Sequence, residues 1–227
     1  MRRIFSATVA LILMAPCASQ AADLLDKAMA RAGGAARLAR VNELRWTGTA
    51  KIFAGARIIE IGVSTMVHPG KDARSDTWLL SDGPAKTRSL IVEGSQGWSE
   101  MNGVRTPLPP AQAANEAQQY ALYALMLLTP LRDGRGSFAI DGVKPEIAVT
   151  YPGAPPTRLT FDADGRLTGA HNSVPAPDGN GPPVVQDFHF DGDIVSHGVH
   201  WPRRLTIDQD GKPFFALTLD HFETRMR

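Results

Sequence analysis

Residues 111–128 contain no glycine, no proline and almost no β-branching, and Ala, Gln, Glu, Leu and Met dominate them. All five are strong helix formers. The second half of the window, Tyr120 to Leu128, is apolar on nearly every face. A helix of that kind must be buried or must cover something apolar. Pro109-Pro110 precedes it and Thr129-Pro130 ends it. Most of the chain on either side reads as strand, so the sequence calls for a sheet on which one long apolar helix can lie.

The strand signals are strong. Leu44, Trp46, Gly48, Ala50 and Ile52 alternate with Arg45, Thr47, Thr49 and Lys51, the pattern of a half-buried strand. The run Ala56 to Val67 sets Ile59, Ile61, Val63, Thr65 and Val67 on one face. Pro69-Gly70 turns the chain into a third strand, Asp72 to Leu80, and a fourth follows at Lys86 to Glu93. Gly94-Ser95-Gln96-Gly97 leads into Trp98-Ser99-Glu100-Met101. Asn102-Gly103 makes the next hairpin turn, since both positions tolerate positive φ.

Beyond the helix, strands resume near Ser137. Lys144 to Tyr151 pairs with Thr157 to Asp162, and Asp162-Ala163-Asp164-Gly165 turns into Arg166 to Asn172. Pro175 to Pro183 cannot hold a strand and reads as a long mobile loop. Val184 to Phe190, Val199 to Asp208 and Phe214 to Glu223 are the closing strands, with Asp210-Gly211 between the last two. Two short helices, Asp23 to Ala32 and Ala35 to Val41, precede everything and are separated by Gly33-Gly34. About ten antiparallel strands with helices on one face make a mainly β, α+β domain, and no repeat or linker divides it.

The start of the chain reads as a secretory signal peptide. Met1-Arg2-Arg3 is followed by the apolar run Ile4 to Ala15 and then by small residues up to Ala22. That run is shorter than the roughly 20 residues needed to span a bilayer. Cleavage after Ala21 leaves one domain over residues 22–227, at work in the periplasm. Cys17 is the one cysteine and lies in the removed part, so the mature protein has no disulfide and no thiolate chemistry. Met14-Ala15-Pro16-Cys17 is a poor lipobox because of the proline. The net charge is +1, with no Lys/Arg cluster, which argues against a nucleic-acid partner.

Signals for catalysis are weak. There is no Gly-x-Ser-x-Gly elbow, Walker loop, dinucleotide fingerprint or His-Glu-x-x-His pair. His197 and His200 are three apart and would point to opposite faces of a strand, while His189 and His221 fall on strands expected to be neighbours. Asp162-x-Asp164-Gly165 lacks the distal glutamate of a calcium loop and is better read as a turn. Asp187, Asp191 and Asp193 read as solvated turn acids. The expectation is a non-enzymatic protein with no cofactor and no metal.

Taken in order, these segments resemble the LolA-like superfamily, the periplasmic lipoprotein-carrier fold that also includes LolB and the N-terminal part of RseB. The points of likeness run along nearly the whole mature chain. Gly33-Gly34-Ala35-Ala36-Arg37-Leu38 leads into Trp46-Thr47-Gly48-Thr49-Ala50, and Gly97-Trp98 precedes a hairpin. Later come Phe188-His189-Phe190, Gly198 to Leu205, Asp210-Gly211-Lys212 and Leu217-Thr218-Leu219. The resemblance implies an unclosed, strongly curved antiparallel β-barrel whose concave face is covered by the long helix and the short N-terminal helices. It implies a hydrophobic ligand or lipidated protein held in that hollow, by a monomer that meets an envelope membrane protein. Trp46, Ile59, Trp78, Trp98, Tyr120, Tyr123, Met126 and Leu127 are the residues expected to line it. Two other readings stand beside this one: an envelope sensor or adaptor that binds another protein, and an exported hydrolase built on the Asp and His residues.

Overall fold

The computed structural model describes residues 16–133, 137–140, 145–176 and 181–227. The basic start, the apolar run of residues 4–15 and the centre of the proline-rich loop lie outside them. Among the described residues the helices are α1 (Pro16–Ala32), α2 (Ala35–Leu38), α3 (Pro110–Met126) and α4 (Thr129–Arg132). The first strands are β1 (Val41–Ala54), β2 (Arg57–His68), β3 (Asp72–Leu79), β4 (Arg88–Glu93), β5 (Gln96–Met101) and β6 (Val104–Pro107). After α4 come β7 (Ser137–Ile140), β8 (Glu146–Thr150), β9 (Thr157–Phe161), β10 (Leu167–Val174) and β11 (Val184–Asp191). The chain closes with β12 (Ile194–Ser196), β13 (Val199–Trp201), β14 (Arg204–Gln209) and β15 (Lys212–Met226).

Thirteen strands form one antiparallel sheet in the order β6-β5-β4-β3-β2-β1-β15-β14-β11-β10-β9-β8-β7. β6 and β7 stand at opposite ends and do not pair, so the curved sheet stays open. Bulges drive its bending. They fall between Thr47 and Gly48 in the β1–β15 pairing, between Leu167 and Gly169 in β9–β10, and between Ile207 and Asp208 in β14–β15.

The alternation read from the sequence is the alternation of burial. Leu44, Trp46, Gly48 and Ala50 are buried, while Thr47, Thr49 and Lys51 are exposed. Register then aligns these positions across the sheet. One continuous row runs Ile147, Leu159, Ala170, Phe188, Ile207, Phe215, Ile52, Ile59, one residue from each of eight neighbouring strands. Each fully buried side chain of this kind stabilises the fold by about 1.5–3 kcal/mol. The hairpin at Asn102-Gly103 has φ of 52° and 77°, the conformation expected of a tight two-residue turn.

Three expectations are corrected. The strand proposed over Val199 to Asp208 is two strands. Pro202 cannot donate to a ladder, and the residues before it pair with β12 in a separate two-stranded ribbon. Together with β6, β7 and β12, that split raises the number of strands above ten. His189 and His221 are not on neighbouring strands, because β14 lies between β11 and β15. The long helix ends at Met126 rather than Leu128, and Thr129-Pro130 opens a further helical turn instead of a strand-bound loop. Pro130 has no N–H to donate back along the helix, so the chain must break before it. The break falls at Leu128, which takes φ of 62° although it is only 1% exposed.

Candidate functional site

α3 starts at the β5 end of the sheet, where Ala113 packs on Gly97. A Cβ built on Gly97 would lie 3.2 Å from the Ala113 Cβ. The helix then crosses the concave face toward β1 and β13. Its second half is anchored, since Leu122 and Ala124 through Leu128 are all buried, as are Thr129, Pro130 and Leu131 of α4. Its first half buries only Ala113 and Asn115. α1 covers the other flank through Leu25, Ala28 and Met29, packing on β7 and β13.

Under α3 lies a chain of rings. Tyr123 sits 5.0 Å from Trp46, 5.9 Å from Tyr120 and 6.4 Å from Trp201, and Trp201 stacks on Phe222 at 5.5 Å. Ser75, beside the Tyr120 hydroxyl, shares a 2.9 Å hydrogen bond with Thr65 in the buried floor. Burial raises the Tyr120 phenol strongly and pushes Tyr123 up to about 12. One turn before Tyr120, burial lifts the Glu116 carboxyl to about 7, an effect the Arg88 guanidinium partly offsets.

In this conformation protein fills most of the hollow. Trp46, Tyr123, Met126, Trp201, Leu205 and Leu217 enclose a gap of about 10 Å³. That is at the limit for one water. A cleft of about 390 Å³ opens beside the first half of α3, between Ala114, Ala117 and Tyr120 on the helix and Val67, Val92 and Tyr151 opposite. At the hairpin end of the sheet the cover stops short. Leu79 pairs with Ile61, and Val104 and Met101 align through Arg88 and Thr77 with Val63, so all three share the concave face. They are nevertheless 44%, 67% and 55% exposed respectively. Ile52, Ile59 and Phe215 beside them are half-buried. Deeper in, Trp46 Nε1, both side-chain polar atoms of Gln186 and Asn172 Oδ1 are buried without a hydrogen-bond partner.

The structure brings Trp46, Tyr120, Tyr123, Met126 and Leu127 together and places Ile59 at the end of the apolar row. It separates Trp78 and Trp98 from them. Trp78 pairs with Gly62 and lies across it on the convex face, where a Cβ on Gly62 would come within 2.2 Å of the indole. Trp98 pairs with Ile91 on the same convex face and carries the Arg105 guanidinium 4.0 Å above its ring. Sequence reasoning left out Trp201, Phe222 and Glu116. Trp201 lay in a run already singled out, and Glu116 is a lone acid four residues before Tyr120 in an otherwise neutral helix.

Three histidine–aspartate contacts stand apart from one another, while His68 lies between Asp72 and the buried Glu43. His171 meets Asp187 at 2.6 Å and His189 meets Asp208 at 3.6 Å, both exposed. His200 meets Asp193 at 2.7 Å, with Arg31 also on that carboxylate. Arg204 and the Gly192 amide hold the Asp191 carboxyl below its usual range. No helix among the described residues is long and apolar enough to cross a membrane.

No family model matches the chain, and no curated protein matches it. Solved structures do. A LolA superfamily protein from Nitrosomonas europaea superposes with a TM-score of 0.58 at 11% identity, over 91% of this chain and 94% of that one. A DUF1329 family protein from Desulfovibrio piger gives 0.56 at 9% identity, over 90% and 93%. A protein domain from Vibrio parahaemolyticus, named for outer membrane lipoprotein sorting, gives 0.52 at 9% identity, over 89% and 91%. The fold is LolA-like.

Proposed function

We propose that this chain is a periplasmic binding or carrier protein that takes an apolar chain or a lipidated segment onto its concave face. It performs no catalysis in this reading. The observation that carries it is the mismatch between floor and cover: Leu79, Met101 and Val104, on either side of Arg88, share the concave face and stand open to solvent. Large exposed apolar patches on a soluble domain mark binding sites more often than ordinary surface. Ile59, Trp46, Tyr120, Tyr123, Met126 and Leu127 would continue the track beneath the helix. Trp78 and Trp98, on the convex face, have no part in it. Two of the similar structures bear names tied to the LolA superfamily and to lipoprotein sorting, which supports the same reading.

The gap of about 10 Å³ beneath Tyr123 and Met126 is far too small for an acyl chain, so in this reading loading begins at the cleft of about 390 Å³ beside the first half of α3 and proceeds as that half lifts. A reversible lock tests this. Gly97→Cys with Ala113→Cys, in a Cys17→Ser background, places two thiols where the Cβ positions are 3.2 Å apart, close to disulfide range. The nearest obstacle is the flexible tip of Leu108. Oxidised protein should lose uptake of a fluorescent fatty-acid probe, and dithiothreitol should restore it. Unchanged uptake by the oxidised form would mean that α3 is not a lid.

A further inference from the structure

We infer that Asn172 and Gln186 form a subsite for the neutral polar head of the bound chain, an amide or hydroxyl that donates and accepts at once. This rests on the carrier reading above. β10 and β11 set the two residues directly opposite each other, and Gln209 of β14 stands across from Gln186 on its other side. The row lies two residues along from Ala170, Phe188 and Ile207, on the same face. These amides therefore continue the apolar floor of the hollow and do not face solvent.

Gln186 is 0% exposed and Asn172 is 3% exposed. Both side-chain polar atoms of Gln186 lack a partner, and so does Asn172 Oδ1. The helix above carries amides of its own: Asn115 and Gln119 are engaged, while Gln118 Oε1 is buried without a partner. Asn115 Nδ2 donates to the Pro175 carbonyl at 2.9 Å, and Gln119 Nε2 donates to Asn115 Oδ1 at 2.9 Å. A buried amide with both ends free is unfavourable, and native proteins leave few of them. Among the described residues, no group supplies the partner in this arrangement of side chains.

The chemistry of the free atoms selects that partner. Gln186 offers one donor group and one acceptor, and Asn172 adds a second acceptor. A carboxylate or phosphate would meet two acceptors there, and the nearest cation along the row, Lys212 of β15, is exposed and stands two strands away from Gln186. A bare hydrocarbon would satisfy nothing. A neutral amide or hydroxyl at the end of an apolar chain satisfies both kinds of atom.

The experiment is displacement of the dye bis-ANS from the mature protein at pH 8 by lauramide and by laurate, which share a chain and differ in head. Gln186→Met keeps the volume and removes the amide. It should weaken lauramide about tenfold, the scale of one lost hydrogen bond, and leave laurate unchanged. Its melting temperature should not fall, because the amide has no partner in the empty protein. Asn172→Leu should give the same selective loss. Equal lauramide affinity in variant and wild type would overturn the subsite and leave water as the occupant. A lowered melting temperature would also overturn it, by showing that the amide was already paired. If neither compound displaces dye from the wild type, the carrier reading itself fails.

Discussion

Glu116 holds its carboxyl beneath α3, facing Arg88 on the sheet and Tyr120 and Tyr123 on its own helix. Its pKa rises from 4.5 to about 7 because burial penalises the charged form. The folded state therefore binds this proton more tightly than the unfolded chain does. The proton's contribution to stability is complete below pH 4.5 and is lost as pH rises through about 7. Glu116→Gln should leave the urea midpoint unchanged near pH 4 and stabilise the protein by about 2 kcal/mol at pH 8, with partial exposure allowed for. Equal effects at both pH values would show that the carboxyl is solvated. Residue positions were only partly legible in the sequence. Alternation identifies which side chains share a face, but not which face is concave. β3 shows why: its concave positions are Ala73, Ser75, Thr77 and Leu79, while its one large aromatic, Trp78, fills the space over Gly62 on the other side. Hydrophobicity alone points to the wrong face there.

At the scale of elements, α3 is two helices in one. Leu122 and everything from Ala124 to Leu131 are buried, which ties the second half into the core. The first half leans on β5 and on the Asn115–Pro175 hydrogen bond. Amide exchange should therefore be faster over residues 113–119 than over residues 122–126, with the change falling near Tyr120. Uniform protection along the helix would argue for a fixed core element. The helix itself was plain in the sequence from composition, and so were the hairpins of β1 to β6, because local periodicity and turn residues decide them. The two-stranded ribbon was not. Its turn depends on His197 at φ of 49° followed by Gly198 at 75°, and a histidine's tolerance of positive φ is a weaker signal than the Asn-Gly and Asp-Gly pairs that mark other hairpins of the sheet.

At the scale of the whole molecule, the sheet consists of two blocks joined by one pairing. β1 to β6 form a meander, and β7 to β11 with β14 form another. β15 pairs with β1 over most of its length and makes the junction. Gly48 sits at the bulge in that junction, where a Cβ would come within 2.2 Å of the Thr218 carbonyl oxygen. Gly48→Ala must push the backbones apart. It should lower stability by about 3 kcal/mol or more, and tryptophan emission and circular dichroism should still change together. Separate transitions would show that the blocks fold alone. The junction also sets an order in time. Its strands are about as far apart in sequence as two elements can be, so they meet only across a very long loop. Each meander can form its hairpins early, but neither acquires its neighbour until the last strand has been synthesised. A nascent chain of this kind remains threadable until β15 is made, and the pairing of β1 with β15 is the step expected to limit its refolding.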